Sequence, residues 1–176
     1  MRILSVIAVL GSCLLLAPSP SLAQLGPKNP QLPKPAPAPA PAPAPTGGAL
    51  SKLTPEQVAS AITAAGFRAQ VATSKDNKKY VTTKMRNFNV TVSFYSCDSE
   101  GCGSIQFISW FSDKVNLDWV NAWNDRWRYT KAAIDRDGDL SFSLDVLAAG
   151  GVTIENVKEN AKIFDYLLDE LTKFNP

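Results

Sequence analysis

From Pro33 to Pro45 a proline stands at every second position, in "PKPAPAPAPAPAP". Each proline fixes its own φ and removes a backbone donor, so this stretch can enter neither a helix nor a sheet interior. It has no large apolar side chain to bury, and is expected to stay extended as a polyproline-type rod of ~3.1 Å per residue. This tract confines folding to the residues on its C-terminal side. Residues 24–49 read as a Pro/Ala-rich disordered linker, ending in the flexible pair Gly47 and Gly48, and residues 50–176 remain for one domain with one core. A linker of this kind also suits a spacer that holds a domain off a surface.

The segment before the linker sets the compartment. "MRILSVIAVLGSCLLLAPSPSLAQ" carries one basic residue, Arg2, then an apolar run from Ile3 to Leu16, two prolines and a small-residue end. Residues 1–23 read as a secretory signal peptide cut after Ala23. The run is shorter than the ~20 residues a membrane-spanning helix needs. The expected location is therefore periplasmic or secreted, with no transmembrane span after signal removal. A rival cut exists, because "VLGSC" ending at Cys13 resembles a bacterial lipobox. Lipidation there would make the chain a membrane-tethered lipoprotein and the linker its tether.

Charge narrows the partner class. The chain has 18 basic and 16 acidic residues. Such balance argues against a nucleic-acid binder, which usually shows a strong basic excess. The local run Arg68, Lys75, Lys78, Lys79, Lys84 and Arg86, with only Asp76 among it, reads as solvated strand and turn faces.

Periodicity sets the element order. "TPEQ" announces a helix: Thr54 as N-cap, Pro55 at N1 and Gln57 completing a capping box, with Val58, Ala61, Ile62 and Ala65 as its stripe and Gly66 as its stop. "FRAQVAT" and "KKYVTTKM" read as strands around the turn "SKDN". "FNVTVSFY" alternates strictly, as a half-buried strand does. "SIQFISWF" is apolar on both faces, which suits a central strand or a covered face. A second helix spans Leu117 to Trp127. "YTKAAI" and "LSFSLDV" form a pair around "DRDGD", and a last helix starts after Thr153. Its stripe of Ile154, Val157, Ala161, Phe164, Leu168 and Leu171 fits a helix lying on a sheet better than a short coiled-coil seam. The order α-β-β-β-β-α-β-β-α predicts an α+β fold, an antiparallel sheet with packed helices.

Two cysteines, Cys97 and Cys102, bracket "DSEG" between adjoining strands. A four-residue hairpin loop with Gly101 in the left-handed position brings the strand ends within bridging distance. An exported chain meets an oxidising compartment, so the pair reads as a structural disulfide. A metal site is the weaker reading, since the chain has no histidine and one loop would have to supply every ligand. A redox pair would normally be C-x-x-C at a helix start. "DRDGD" resembles a calcium loop only loosely: Gly138 stands fourth, and Asp-Gly between alternating strands is a hairpin turn. No cofactor is expected.

Of the aromatic cluster Trp110, Trp119, Trp123, Trp127 and Tyr129, most read as core. Trp119 lies off the main stripe of its helix and is expected to be exposed. With Trp123, Arg126 and Arg128 it forms the candidate partner-binding set. Without histidine the chain cannot run His-based acid–base or triad chemistry, and it shows no P-loop, no dinucleotide fingerprint and no G-x-S-x-G. The expectation is a protein that is not an enzyme.

Over about residues 54–174, "LTPEQVASAITAAGFRAQV", "FNVTVSFYSCDSEGCGSIQF" and the stretch from "WVNAWNDRWRYT" through "DRDGDLSFSLDV" to "GGVTIENVKENAKIF" resemble the bacterial YbjN domain family. The telling pieces are "SIQF", the N-x-W-N around Trp123 and Asn124, the Asp-Gly turn and "GGV". The resemblance implies a type III secretion chaperone-like fold, a regulatory role described as sensory transduction, binding of another protein and homodimerisation. It brings no catalytic residues. Export departs from the cytoplasmic secretion chaperones. An exported, chaperone-like or regulatory protein-binding module using a sheet face or edge and the Trp-rich helix is thus the leading expectation, and a small-ligand sensor or carrier in the envelope is the alternative.

Overall fold

The structure is a computed structural model that describes residues 48–175. The segment read as a signal peptide, Cys13 and nearly all of the segment read as a linker lie outside the described residues. Helix α1 (Pro55–Ala64) starts on a complete capping box: Thr54 Oγ1 accepts from the Gln57 amide at 3.2 Å, and Gln57 Oε1 accepts from the Thr54 amide at 2.9 Å. It ends where Gly66 takes φ +102°. Strands β1 (Ala69–Thr73), β2 (Lys79–Met85), β3 (Phe88–Cys97) and β4 (Cys102–Phe111) form a meander. Then come α2 (Leu117–Arg126), β5 (Lys131–Ile134), β6 (Leu140–Leu147) and α3 (Ile154–Lys173).

The strands form one antiparallel sheet in the order β1-β2-β3-β4-β6-β5. Register places Val81, Val92, Phe107 and Leu144 in a single row, and Thr83, Val90, Ser109, Phe142 and Ala132 in the next. These rows share a cluster with Val58 and Ile62 of α1, Trp123 of α2 and Phe164 of α3. Phe164 rests on Phe107 and Phe142, with ring centroids 5.7 and 5.5 Å apart. Each large apolar side chain buried here is worth about 1.5–3 kcal/mol. The α3 stripe therefore faces the sheet, and Leu167 joins the buried set.

Among the described residues nothing covers the opposite face. Its most ordered feature is a polar ladder over three strands: Tyr95 Oη donates to Gln106 Oε1 at 3.2 Å, and Gln106 Nε2 donates to Asp145 Oδ1 at 2.8 Å. Trp110 stands on this face and is 53% exposed. Among the described residues, the two-sided apolarity of β4 thus marks a central strand, flanked by β3 and β6, rather than a covered second face. An antiparallel sheet readily leaves one face to water.

The two sheet edges differ. On β5 the buried Ala132 directs its N–H and C=O away from β6. The Asn124 side chain of α2 meets both: Oδ1 accepts the N–H at 2.9 Å, and Nδ2 donates to the C=O at 3.0 Å. One amide stands in for a further strand and closes that edge. On β1 the outer edge carries no strand partner among the described residues.

Several strands start later than their sequences suggest. β5 begins at Lys131 rather than Tyr129, because Tyr129 takes φ +73° and breaks the extended run. All six cations of the basic run are exposed, as expected, and two of them also hold carboxylates. Lys79 pairs with Glu56 of α1, and Arg86, in a β2–β3 turn whose Arg86 and Asn87 both have positive φ, pairs with Asp165 and Asp169 of α3. "DRDGD" is the β5–β6 turn: Asp135 Oδ1 accepts from the amides of Asp137 and Asp139, and Gly138 has φ +79°.

Candidate functional site

The cysteine stretch is a staple. Cys97 and Cys102 are register partners at the ends of β3 and β4, with α-carbons 3.9 Å apart, and they form a disulfide. The segment before α1 crosses this hairpin. Leu53 and Cys102 exchange backbone hydrogen bonds, both 2.9 Å. At Gly101, φ +143°, a Cβ would fall 3.0 Å from the Leu53 carbonyl oxygen, so the close crossing requires glycine. Lys52 pairs with both Asp98 and Glu100. Its hydrogen bond to Asp98 raises the ammonium pKa above its ordinary value and lowers that of the Asp98 carboxyl. The two carboxylates between the cysteines thus tie the loop to the chain before α1. Among the described residues no group of three or more His, Cys, Asp or Glu side chains is placed to hold a metal ion.

The tryptophans of α2 lie four residues apart and stack along one side, Trp119 on Trp123 at 6.2 Å and Trp123 on Trp127 at 5.6 Å. Trp123 is 0% exposed and is edged by Phe142 and Phe174, and its Nε1 donates to Thr130 Oγ1 at 3.3 Å. It has no surface to offer a partner, so its expected place in a contact set is corrected to the core. Trp119 is half-buried rather than exposed. Its ring meets Phe174 edge-on at 5.1 Å, because the chain after α3 folds over the side of α2 that the stripe alone leaves bare.

Arg126 and Arg128 are exposed, and they frame a corner whose aromatics the sequence pattern assigns mostly to the core. The Arg126 guanidinium lies 5.5 Å from the centre of the Trp127 ring, and that of Arg128 lies 5.3 Å from the centre of the Tyr129 ring. Tyr129 is 65% exposed and Tyr166 of α3 is 51% exposed. Between them opens a cleft of about 350 Å³, lined by Arg126, Trp127, Arg128, Tyr129, Ile163, Tyr166 and Leu167. A bulky residue at φ +73° is held against a backbone preference of ~1–3 kcal/mol. Trp127 Nε1 is buried without an acceptor among the described residues. Tyr166 has one signal in the sequence: it is an aromatic off the α3 stripe.

A second pocket, of about 260 Å³, lies at the far end of the sheet, between Phe88, Phe111, Trp119, Leu140 and Leu171, with Asp113 and Thr172 at its lining. Its walls are mostly apolar, as in small-molecule sites.

A family model described as "YbjN: Putative bacterial sensory transduction regulator" matches residues 54–171, more than half of the chain. The chain belongs to the YbjN family. The matched YbjN region begins at the α1 cap and ends in the last turns of α3, so it contains the sheet, the staple and the arginine–aromatic corner. No curated protein matches the chain in sequence. Among solved structures, the chain is similar to the Yersinia pestis type III secretion chaperone SycH, solved in complex with a stable fragment of YscM2. That likeness has a TM-score of 0.47 at 8% identity, over 69% of this chain and 98% of that chain.

Proposed function

We propose that this YbjN protein is an exported, non-enzymatic module of the bacterial envelope that binds a segment of another protein. The observation that carries the reading is the corner of α2 and α3, where exposed Tyr129 and Tyr166 stand beside two arginines over a cleft. Tyr, Trp and Arg are the residues that dominate binding energy at protein interfaces. The signal-like residues 1–23 support export, and the Pro-Ala tract supports a domain held at a distance from its anchor or neighbour.

The test is photo-crosslinking in the producing cell, with a benzoylphenylalanine at Tyr166 and, separately, at Tyr95 on the uncovered sheet face. Discrete adducts from position 166 and none from position 95 are the expected result. Adducts from position 95 alone would move the binding surface to the sheet. No adduct from either position would remove the protein-binding reading. The intact mass of the processed protein then decides its anchoring: a start at Gln24 means a free module, and a lipid-shifted start at Cys13 means a tether.

The 260 Å³ pocket favours a second reading, a small-ligand sensor or carrier. A saturable rise in melting temperature in a metabolite screen supports it, since a ligand stabilises the fold by mass action. A screen without any such rise counts against it.

A further inference from the structure

We infer that the cleft between the α2–β5 connection and α3 recognises an extended acidic segment, two carboxylate side chains flanking one apolar residue. This inference rests on the protein-binding reading and names the chemistry of the partner. Arg126 and Arg128 make no salt bridge among the described residues, and in this they resemble Arg68 and Arg136; what sets them apart is that each lies over an aromatic ring. Both arginines also line the cleft. Each guanidinium keeps N–H donors that no carboxylate among the described residues takes up, donors that suit a planar acceptor.

Spacing points to a chain rather than a lone anion. Trp127 is extended, with φ −109° and ψ 130°, so the α-carbons of Arg126 and Arg128 stand roughly 7 Å apart. Carboxylates at alternate positions of an extended peptide have the same repeat. The residue between them points the other way, toward the α3 side of the cleft with Ile163, Tyr166 and Leu167. The cleft is open to solvent, which suits a passing segment. The left-handed backbone at Tyr129, held out of its preferred conformation, fixes the ring under Arg128 and so prepares the site before binding.

The experiment is calorimetric titration of the protein, purified as its cells process it, with the capped peptide Gly-Ser-Glu-Leu-Glu-Ser-Gly. Its Gln-Leu-Gln counterpart and free glutarate serve as probes. The acidic peptide is expected to saturate, and to bind tenfold or more weakly to the R126Q/R128Q variant. A control R68Q/R136Q variant removes the same charge elsewhere and is expected to bind as the native chain does. Raising salt from roughly 0.05 M to roughly 0.5 M is expected to weaken binding severalfold. Equal binding of the Glu and Gln peptides, or unchanged binding by R126Q/R128Q, overturns the inference. Glutarate binding as tightly as the peptide also overturns it, in favour of a small dicarboxylate. Failure of the acidic peptide with Tyr166 adducts retained removes the acidic chemistry alone. Failure of the peptide with no adduct from position 166 or position 95 removes the protein-binding reading as well.

Discussion

The side-chain amide of Asn124 makes both of the hydrogen bonds that a neighbouring strand would make to Ala132. A helix residue thereby closes the β5 edge, and the N-x-W-N of the sequence resolves into two jobs on α2. Trp123 enters the core, and the residue after it caps the sheet.

Replacing Asn124 by Ala removes both hydrogen bonds to Ala132 and leaves its N–H and C=O at an open sheet edge. The expected loss is about 1–3 kcal/mol in urea unfolding. The exposed edge should also pair between molecules, so the variant is expected to show concentration-dependent association by light scattering. A monomeric variant of native stability would show that the amide is incidental.

Trp123 and Tyr129, which share one aromatic cluster in the sequence, should separate cleanly. Trp123→Ala empties a fully buried site and is expected to cost about 3–5 kcal/mol. Tyr129→Gly removes an exposed ring and admits the φ of +73°, so its melting temperature should hold or rise. Calorimetric melting of the two variants checks this. A large loss at position 129 would place that ring in the core.

The staple and its crossing strand should be felt separately. Reduction of Cys97–Cys102 reopens only a small loop, with an expected loss of about 2 kcal/mol or less. Gly101→Ala forces a Cβ toward the Leu53 carbonyl at an unfavourable φ, with an expected loss of roughly 1–3 kcal/mol while the disulfide stays closed. Urea unfolding with and without reductant separates the two effects.

Acid should loosen the same hairpin. Asp98 has its pKa lowered in the folded state, first by the hydrogen bond from Lys52. Its contribution is therefore present above the unfolded carboxyl value of ~4 and lost as pH falls through the lower folded value. The raised pKa of Lys52 acts at the other end. That contribution is present below the unfolded value of ~10.4 and lost as pH rises through the folded one. The protection of the Glu100 and Gly101 amides, taken relative to the intrinsic exchange rate at each pH, is expected to fall more in the native chain than in Lys52→Met as neutral solution is made acid. Equal acid sensitivity of the two would mean that the pair does not hold the loop.

Much of the fold is legible in the sequence because it rests on local rules. The Thr54 box, Gly66, the alternation of β3 and β6 and the Asp-Gly turn each act within a few residues, and all nine elements appear in the expected order. The places of Leu167, Tyr129 and Trp119 are not legible in this way, because each depends on a neighbour distant in sequence or on one unusual backbone angle. The stripe of α2 makes Trp119 look bare, and only the return of the chain at Phe174 covers it. Arg126 and Arg128 are legible as charges beside aromatics, but their shared cleft with Ile163 and Tyr166 is not.

The amino-acid sequence alone determined the strand and helix periods and the staple spacing, since capping and side-chain alternation are properties of neighbouring residues. Tertiary structure decided which tryptophan is core, which sheet edge is closed and where two arginines meet an α3 tyrosine. Those outcomes depend on burial and on hydrogen bonds between groups far apart in the chain, and such pairings exist only once packing has brought the groups together.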